Sequence, residues 1–161
     1  PAGAAAGELS FMCGGDPAAI AGATPVLDAM GDPAKRVVCG EVGLGLVAKL
    51  VNNMIVAAIT AGTAEALGAG QRAGLDPALA REVVMRSAGD SWQLRHLFPR
   101  VLAGDHAPGF SARNLLKDLG HAVDLDEGPL EFTTLARERL ARMPPEAGHG
   151  VVARLSLKLP G

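Results

Sequence analysis

The feature that most constrains this chain is a run of about thirty residues, 43–73, that contains no proline and only three charged side chains. The run begins at Gly43 and stops before Gly74, and it predicts one long helix with apolar residues on nearly every side. A helix of this kind belongs in the middle of a bundle or between subunits. We therefore expect a mainly α-helical protein built on one long central helix.

Three polar residues interrupt this helix near its start: Lys49, Asn52 and Asn53. Lys49 and Asn53 are four residues apart, so their side chains project from the same helical face. An ammonium and a carboxamide on an apolar surface are costly to bury without partners. The pair therefore either meets a polar ligand or has a structural role, such as a lysine that reaches solvent along its own methylene groups.

Residues 1–40 have an α/β pattern. Strands are predicted over 8–13 and 35–39, and the helix between them begins after the N-cap Asp16, runs through about Met30 and is broken by residues 31–33. Two strands and one helix are too few to close a sheet. We expect a short α/β remnant over 1–40, the end of a larger α/β domain, followed by an all-helical domain over 41–161.

Shorter helices are predicted after the central one. They cover about 76–87, 91–102 as one or two short segments, 111–126, 130–143 and 148–157. Asp76 and Ser111 are the expected N-caps. Trp92 and Phe98 are interpreted as core anchors rather than ligand platforms.

Composition excludes several classes of partner. The net charge is −2, there is no basic tract, and the aromatic residues are four Phe, one Trp and no Tyr, so nothing favours nucleic acid or an anionic membrane. The longest apolar run, 54–59, is too short for a bilayer, and residues 1–7 do not resemble a signal peptide. Cys13 and Cys39 are expected to be reduced thiols. We therefore expect a soluble cytoplasmic protein.

Neither a dinucleotide-binding turn nor a metal site is expected. Residues 43–48 fit the G-x-G-x-x-A dinucleotide fingerprint, but the following helix is too long and Glu65 lies inside it instead of ending a second strand. The four histidines are scattered without metal-ligand spacing, so no metal site is expected.

A second lysine stands in the middle of the predicted helix 111–126. Lys117-Asp118 is flanked by leucines, and Arg113 lies one turn before it. Taken alone, this pattern indicates a solvated face with repulsion between Arg113 and Lys117 and local pairing of Asp118.

Taken together, the two lysine segments resemble the β-hydroxyacid dehydrogenase family, which includes 3-hydroxyisobutyrate dehydrogenases and tartronate semialdehyde reductases. The resemblance covers nearly the whole chain. The family signatures G-x-x-G-x-G-x-x-x-K-x-x-x-N and F…K-D-L are met by Gly40, Gly43, Gly45, Lys49, Asn53, Phe110, Lys117, Asp118 and Leu119. One departure is residues 148–153, which lack the aspartate of the family's C-terminal G-x-G-x-x-D-x-S segment.

The resemblance implies a division of labour. In the family an N-terminal Rossmann domain binds NAD or NADP, and a helical C-terminal domain completes the active site, so residues 1–40 would be the end of the Rossmann domain. Lys49 would be the catalytic acid/base that also contacts substrate, and Asn53 would bind substrate. Lys117 and Phe110 would contact the cofactor, most of which would lie on the part of the Rossmann domain outside this sequence.

We accordingly expect the C-terminal part of an NAD(P)-dependent 3-hydroxyacid dehydrogenase, an oxidoreductase that transfers hydride between NAD(P) and a short 3-hydroxy acid or semialdehyde. The chain alone is expected to be inactive, and the protein to form a homodimer or homotetramer through the helical domain. The alternative is a catalytically inert helical dimerisation or interaction domain, in which the apolar helix 43–73 serves only association.

Overall fold

The structure is a computed structural model that describes residues 5–107, 109–125 and 128–159. The chain divides into two compact units, one ending at Asn52 and the other beginning at Asn53. This division falls inside the long helix. The domain boundary expected near residue 40 stays a prediction.

The first unit contains a strand, a helix and a second strand. They are β1 (Leu9–Gly14), α1 (Pro17–Met30) and β2 (Gly31–Gly40), and the two strands form a parallel pair. Asp16 caps α1 as expected, because its carboxylate accepts hydrogen bonds of 2.9 and 3.0 Å from the N–H groups of Ala18 and Ala19. The predicted α/β remnant is confirmed.

The start of the second strand differs from the sequence prediction. The helix break expected at residues 31–33 is confirmed, because α1 ends at Met30. The second strand was expected to begin at residue 35, whereas β2 begins directly at Gly31, which pairs with Leu9. A Cβ at Gly31 would collide with the carbonyl oxygen of Leu9, so only glycine allows this close approach. Pro33 falls in the irregular stretch of the ladder between the Leu9 and Phe11 pairs, where its missing N–H is tolerated.

The long helix is confirmed as α2 (Leu44–Arg72), 29 residues in length. Its buried positions recur at alternating spacings of three and four, which makes one continuous stripe along the helix. The stripe consists of Leu50, Asn53, Ala57, Thr60, Ala64 and Leu67. Two of these six side chains, Asn53 and Thr60, are polar. Buried polar side chains need hydrogen-bonding partners, so they are candidates for a site.

Helix α2 is also long and apolar enough to cross a membrane, judged by length and composition alone. The expectation from sequence considered only the uninterrupted apolar run 54–59. Core helices of soluble proteins pass the same test, so the finding does not assign a location. Cytoplasmic localisation stays a prediction.

The second unit contains the remaining helices in the expected order. They are α3 (Pro77–Met85), a π-helical turn (Gln93–Leu97), α4 (Phe98–Leu102), α5 (Ala112–Leu125), α6 (Glu131–Leu140) and a 3-10 segment (His149–Leu155). Asp76 and Ser111 cap α3 and α5 as expected, with Ser111 Oγ accepting from the Asn114 N–H at 3.3 Å. Asp126, where the sequence placed the end of α5, lies outside the described residues.

Two hydrophobic clusters form the core of the second unit. The Leu119 cluster comprises Ala57, Ala112, Leu115, Leu119, Ala136, Leu140, Val151 and Val152. The Phe98 cluster comprises Ala64, Leu67, Ala80, Leu94, Phe98, Val101, Ala153 and Leu157. Both clusters include residues of α2 and of the 3-10 segment, so these two elements connect the core.

The two expected core anchors behave differently. Phe98 is fully buried, as predicted, but the prediction for Trp92 is wrong because 64 % of that residue is exposed. Trp92 precedes the π-helical turn and stacks on His96 of the same turn, with ring centroids 4.5 Å apart. Gln93 and Leu94 take the inward positions instead.

Candidate active site

The glycines before α2 serve the packing of the first unit. Gly40 and Gly43 have φ values of +112° and +95°, in the left-handed region that favours glycine. A Cβ at Gly45 would collide with the carbonyl oxygen of Met12, and one at Gly14 would lie 2.5 Å from the carbonyl oxygen of Glu41. Protein backbone therefore fills the space that a pyrophosphate would need at Gly45, which supports setting the dinucleotide fingerprint aside.

Lys49 lies in the second turn of α2, within the first unit, and its side chain is exposed. Asn53 follows one turn later, at a buried position of the stripe with only 6 % of the residue exposed. A solvent-accessible ammonium is what proton exchange with a substrate requires. A lysine that simply reaches solvent would have the same exposure, so the catalytic role of Lys49 stays a prediction.

Asn53 joins the two lysine motifs in space. Its Nδ2 donates a 2.8 Å hydrogen bond to Oδ2 of Asp118, a residue 65 positions later that is only 3 % exposed. The sequence-based interpretation of Asp118 as part of a solvated face is therefore wrong. A buried carboxylate needs hydrogen-bonding partners, and Asn53 of α2 is one of them.

Lys117 faces outward beside the same carboxylate. Its Nζ lies 3.3 Å from Oδ1 of Asp118, and its side chain is 61 % exposed. Asp118 thus holds the Asn53 amide with one oxygen and the Lys117 ammonium with the other, which compensates its burial. The expected repulsion between Arg113 and Lys117 is relieved because Arg113 pairs with Glu146.

Phe110 lies just before α5 and packs against the Leu119 cluster, half-buried. Its carbonyl oxygen accepts a hydrogen bond of 2.9 Å from the backbone N–H of His149. The ring of His149 lies edge-on to the Phe110 ring, with centroids 5.7 Å apart. Phe110 therefore has a defined structural setting, and its contact with a cofactor stays a prediction.

The second unit brings together Asn53, Lys117 and the unforeseen Asp118. The signal for Asp118 was present in the sequence, because it falls on the same helical face as the buried residues Leu115, Leu119 and Ala122 of α5. A charged residue within such a stripe indicates a buried polar contact rather than a solvated face.

His149 is the second residue that sequence reasoning missed. Its flanking glycines allow close packing, since a Cβ at Gly150 would lie 2.7 Å from Cγ2 of Val101 and one at Gly148 would lie 3.0 Å from the carbonyl oxygen of Ala107. Burial lowers the pKa of the His149 imidazole, and its hydrogen bond to Phe110 opposes that shift. A histidine between two glycines was the available signal.

Over the described ranges 5–107, 109–125 and 128–159, no group of three or more His, Cys, Asp or Glu side chains could hold a metal ion. Both Cys13 and Cys39 are free thiols. The first unit offers the exposed Lys49 ammonium as a possible acid/base group. The second unit offers the anchored Asn53 amide and the Lys117 ammonium as hydrogen-bonding groups.

Two family models together match most of the chain. Residues 43–152 match the model described as "NAD-binding of NADP-dependent 3-hydroxyisobutyrate dehydrogenase". Residues 1–43 match "NAD binding domain of 6-phosphogluconate dehydrogenase".

Curated relatives agree with these matches. The 3-hydroxyisobutyrate dehydrogenase of Pseudomonas aeruginosa is 43 % identical over 128 residues, covering 75 % of this chain and 42 % of the relative. The NAD-dependent L-serine dehydrogenase of the same organism is 38 % identical over 141 residues, covering 83 % and 47 %. The chain thus spans less than half the length of these relatives.

A solved structure shows the same fold. The 3-hydroxyisobutyrate dehydrogenase of Mycobacterium tuberculosis, determined with L-serine, matches with a TM-score of 0.86 and 30 % identity, covering 96 % of this chain and 57 % of the solved one. On the evidence of the family models, the curated relatives and this fold, the chain belongs to the β-hydroxyacid dehydrogenase family.

Proposed function

We propose that the full-length protein is an NAD(P)-dependent dehydrogenase of a short 3-hydroxy acid, with Lys49 as its acid/base. Family membership supports the reaction class, and relatives named for 3-hydroxyisobutyrate and L-serine support a small hydroxy acid as substrate. The observation that carries the proposal is the hydrogen bond between Asn53 and Asp118, which anchors an amide one helical turn from Lys49.

A bound nicotinamide would supply the hydride acceptor for the carbon that bears the substrate hydroxyl. Lys49, as the amine, would take the hydroxyl proton onto Nζ as the carbonyl forms. In the reverse direction the Lys49 ammonium returns that proton to the carbonyl oxygen. The exposure of Lys49 lets it exchange the proton with solvent between turnovers.

Asn53 has the task of orienting substrate. Because its Nδ2 donates to the buried Asp118 carboxylate, rotation of the carboxamide is restricted before substrate arrives. An oriented polar group loses less entropy on binding and holds the reacting carbon in line for hydride transfer.

The cofactor side is assigned to Lys117 and Phe110. An exposed ammonium fits a dinucleotide phosphate, and a half-buried ring supplies an apolar wall, so the donor set of the second unit suits part of NAD(P). Most of the contacts with the cofactor would come from the part of the NAD-binding domain that lies outside residues 1–43.

Association and location complete the proposal. We place the protein in the cytoplasm as a homodimer or homotetramer that associates through the helical domain. Exposed apolar residues support the association, with Ile55 of α2 at 53 % exposure and Phe132 of α6 at 79 %. Light scattering of the purified full-length protein measures the oligomer.

The proposal is tested with Lys49→Ala in the full-length protein, assayed with NAD and NADP against a panel of 3-hydroxy acids. We expect kcat to fall by roughly 10²- to 10⁴-fold, since a positioned acid/base contributes about that factor, with little change in the Kd of the cofactor. Lys35→Ala is the matched control, because Lys35 is an exposed lysine of β2 that pairs only locally with Asp32. Retention of most of the kcat by Lys49→Ala would overturn the acid/base role of Lys49, whereas a full-length wild type that turns over no acid of the panel with either cofactor would favour the inert interaction domain.

Lys117→Ala tests the cofactor side separately. Loss of the exposed ammonium should raise the cofactor Kd, by about tenfold for each 1.4 kcal/mol of lost interaction, and affect kcat less. Fluorescence titration with NADH or NADPH measures this. An unchanged Kd would remove Lys117 from the cofactor site.

A further inference from the structure

The segment before α5 is pinned by the segment that follows Ala147. Ser111 and Gly148 form an isolated antiparallel bridge, and the next residue, His149, donates its backbone N–H to the Phe110 carbonyl at 2.9 Å. On the other side of the bridge, the Ala112 N–H donates to the Ala147 carbonyl at 2.8 Å. This short ladder fixes the backbone of Phe110.

The His149 side chain adds a second bond to the same carbonyl. Its Nδ1 lies 3.2 Å from the Phe110 oxygen. A carbonyl only accepts hydrogen bonds, so Nδ1 carries the proton of the neutral imidazole and Nε2 carries the lone pair. His149 therefore contacts Phe110 in three ways: its backbone N–H and its Nδ1–H both donate to the Phe110 carbonyl, and the two rings meet edge-on.

The other face of the imidazole lies in an apolar setting. Nε2 is buried and has no hydrogen-bond partner within the part of the chain that the structure describes. The walls of the small cavity around the ring come from α2, α5, α6 and the 3-10 segment, and none of their side chains titrates. They are Ala57, Thr60, Ala61, Leu115, Ala136, Leu140 and Val152.

A second proton on His149 has no favourable place. It would go onto Nε2 and put a charge into this cavity, whose other lining side chains are aliphatic except for Thr60. On the loop side, the His106 carbonyl accepts from the Gly148 N–H at 2.8 Å, and His106 Nε2 accepts from Arg154 at 3.0 Å. Burial, and next the positive charge of Arg154, lower the pKa of His106 as well.

We propose that His149 is a positioning residue for Phe110, and that its neutral imidazole holds the phenyl ring where it walls the cofactor, so that protonation of His149 releases the ring and weakens cofactor binding. This inference rests on the proposed function, because it takes Phe110 as part of the cofactor site. It adds a pH-sensitive element to the cofactor side of that site.

The direction of the pH effect follows from linkage. We call the form in which the buried His149 ring contacts Phe110 the clasped form, and this contact the clasp. A released, solvated histidine has an ordinary pKa of about 6.5, whereas burial holds the pKa of His149 lower in the clasped form. The released form therefore binds more protons at mildly acid pH. The clasp is complete above about pH 6.5 and is lost as the pH falls from there toward the lowered pKa of His149.

The test measures the Kd of NADH or NADPH from pH 7.5 to 5.5 in the full-length protein and its variants. In the wild type the Kd should rise by up to about tenfold per pH unit, the limit for one proton. His149→Asn keeps a side-chain N–H for the Phe110 carbonyl but does not titrate, so its Kd should vary less with pH. His149→Phe fills the space without a donor and should bind cofactor more weakly throughout.

The matched control is His96→Asn. His96 makes a similar ring-to-carbonyl contact, 3.0 Å to Trp92, but is exposed. Removing the His96 imidazole should leave the wild-type pH dependence of the cofactor Kd intact. His106 is present in every variant, so its contribution to the pH dependence is the same in all of them. If His149→Asn keeps the full wild-type slope while cofactor binds, the inference is overturned.

A second measurement separates this inference from the proposed function. Proton NMR of the wild type should give His149 a titration midpoint below the ordinary histidine value of about 6.5, and exchange of the His149 amide, held by Phe110, should accelerate as His149 titrates. A His149 midpoint at or above that ordinary value overturns the contact between a neutral His149 and Phe110. A protein that binds no nicotinamide cofactor but shows this titration would overturn the proposed function and the positioning role, leaving the clasp as a structural element.

Discussion

The two units of this chain are organised by different means. In the first unit, which ends at Asn52, helix α1 buries none of its described residues, and geometry depends on close backbone contacts at Gly31 and Gly45. In the second unit, two clusters of buried side chains form a core around Leu119 and Phe98. In the first unit, glycines therefore mark the places where backbone segments approach each other closely. In the second unit, the periodic spacing of apolar residues marks the side chains that pack in the core.

The largest expected effect tests the core of the second unit. Phe98→Ala removes a fully buried ring and should lower the free energy of unfolding by about 3–5 kcal/mol. Trp92→Ala is the matched control, since this larger aromatic residue is 64 % exposed and should cost less than about 1 kcal/mol. Urea denaturation measures both. Equal losses would contradict the division between core and surface.

A smaller and more local effect is expected in the first unit. Gly45→Ala forces a Cβ against the Met12 carbonyl, and we expect an overpacking cost of about 1–3 kcal/mol. Hydrogen exchange should show faster opening of β1 and the first turns of α2, with amides of the Phe98 cluster little changed. Uniform acceleration across both units would mean that they do not unfold separately.

The smallest effect has the opposite sign. Gly62 lies in the middle of α2, is exposed, and has no atom within 4 Å of the position a Cβ would take. Gly62→Ala should stabilise the protein by about 0.5–1 kcal/mol, because alanine loses less backbone entropy in a helix. A thermal melt beside Gly45→Ala shows whether two glycines of one helix differ in this way.

Much of the fold followed from local signals. The start of α1 was predictable because Asp16 and Pro17 satisfy the first turn by themselves, and α2 because its run 43–73 contains no proline. The direct start of β2 at Gly31 was not, since it depends on how closely Leu9 approaches. A local sequence signal was sufficient to predict an element only where the residues that contact each other are also neighbours in the sequence.

The candidate site was predicted in part. The resemblance pointed to Lys49, Asn53, Lys117 and Phe110, and the structure brings Asn53 to the carboxylate beside Lys117. Asn53, one of the partners of Asp118, lies 65 residues away from it, so no local pattern could identify this pair. The ring orientation of His149 likewise depends on a carbonyl 39 residues distant.

The division of the chain falls within α2, between Asn52 and Asn53, and this has a mechanical consequence. Lys49 and Asn53 lie on the same uninterrupted helix, whose rise of about 1.5 Å per residue separates them by about 6 Å along its axis. Helix geometry alone therefore sets the spacing between the proposed proton-transfer group and the anchored amide. A one-residue insertion between them would turn the lysine by about 100° around the helix while leaving every residue of the proposed chemistry present.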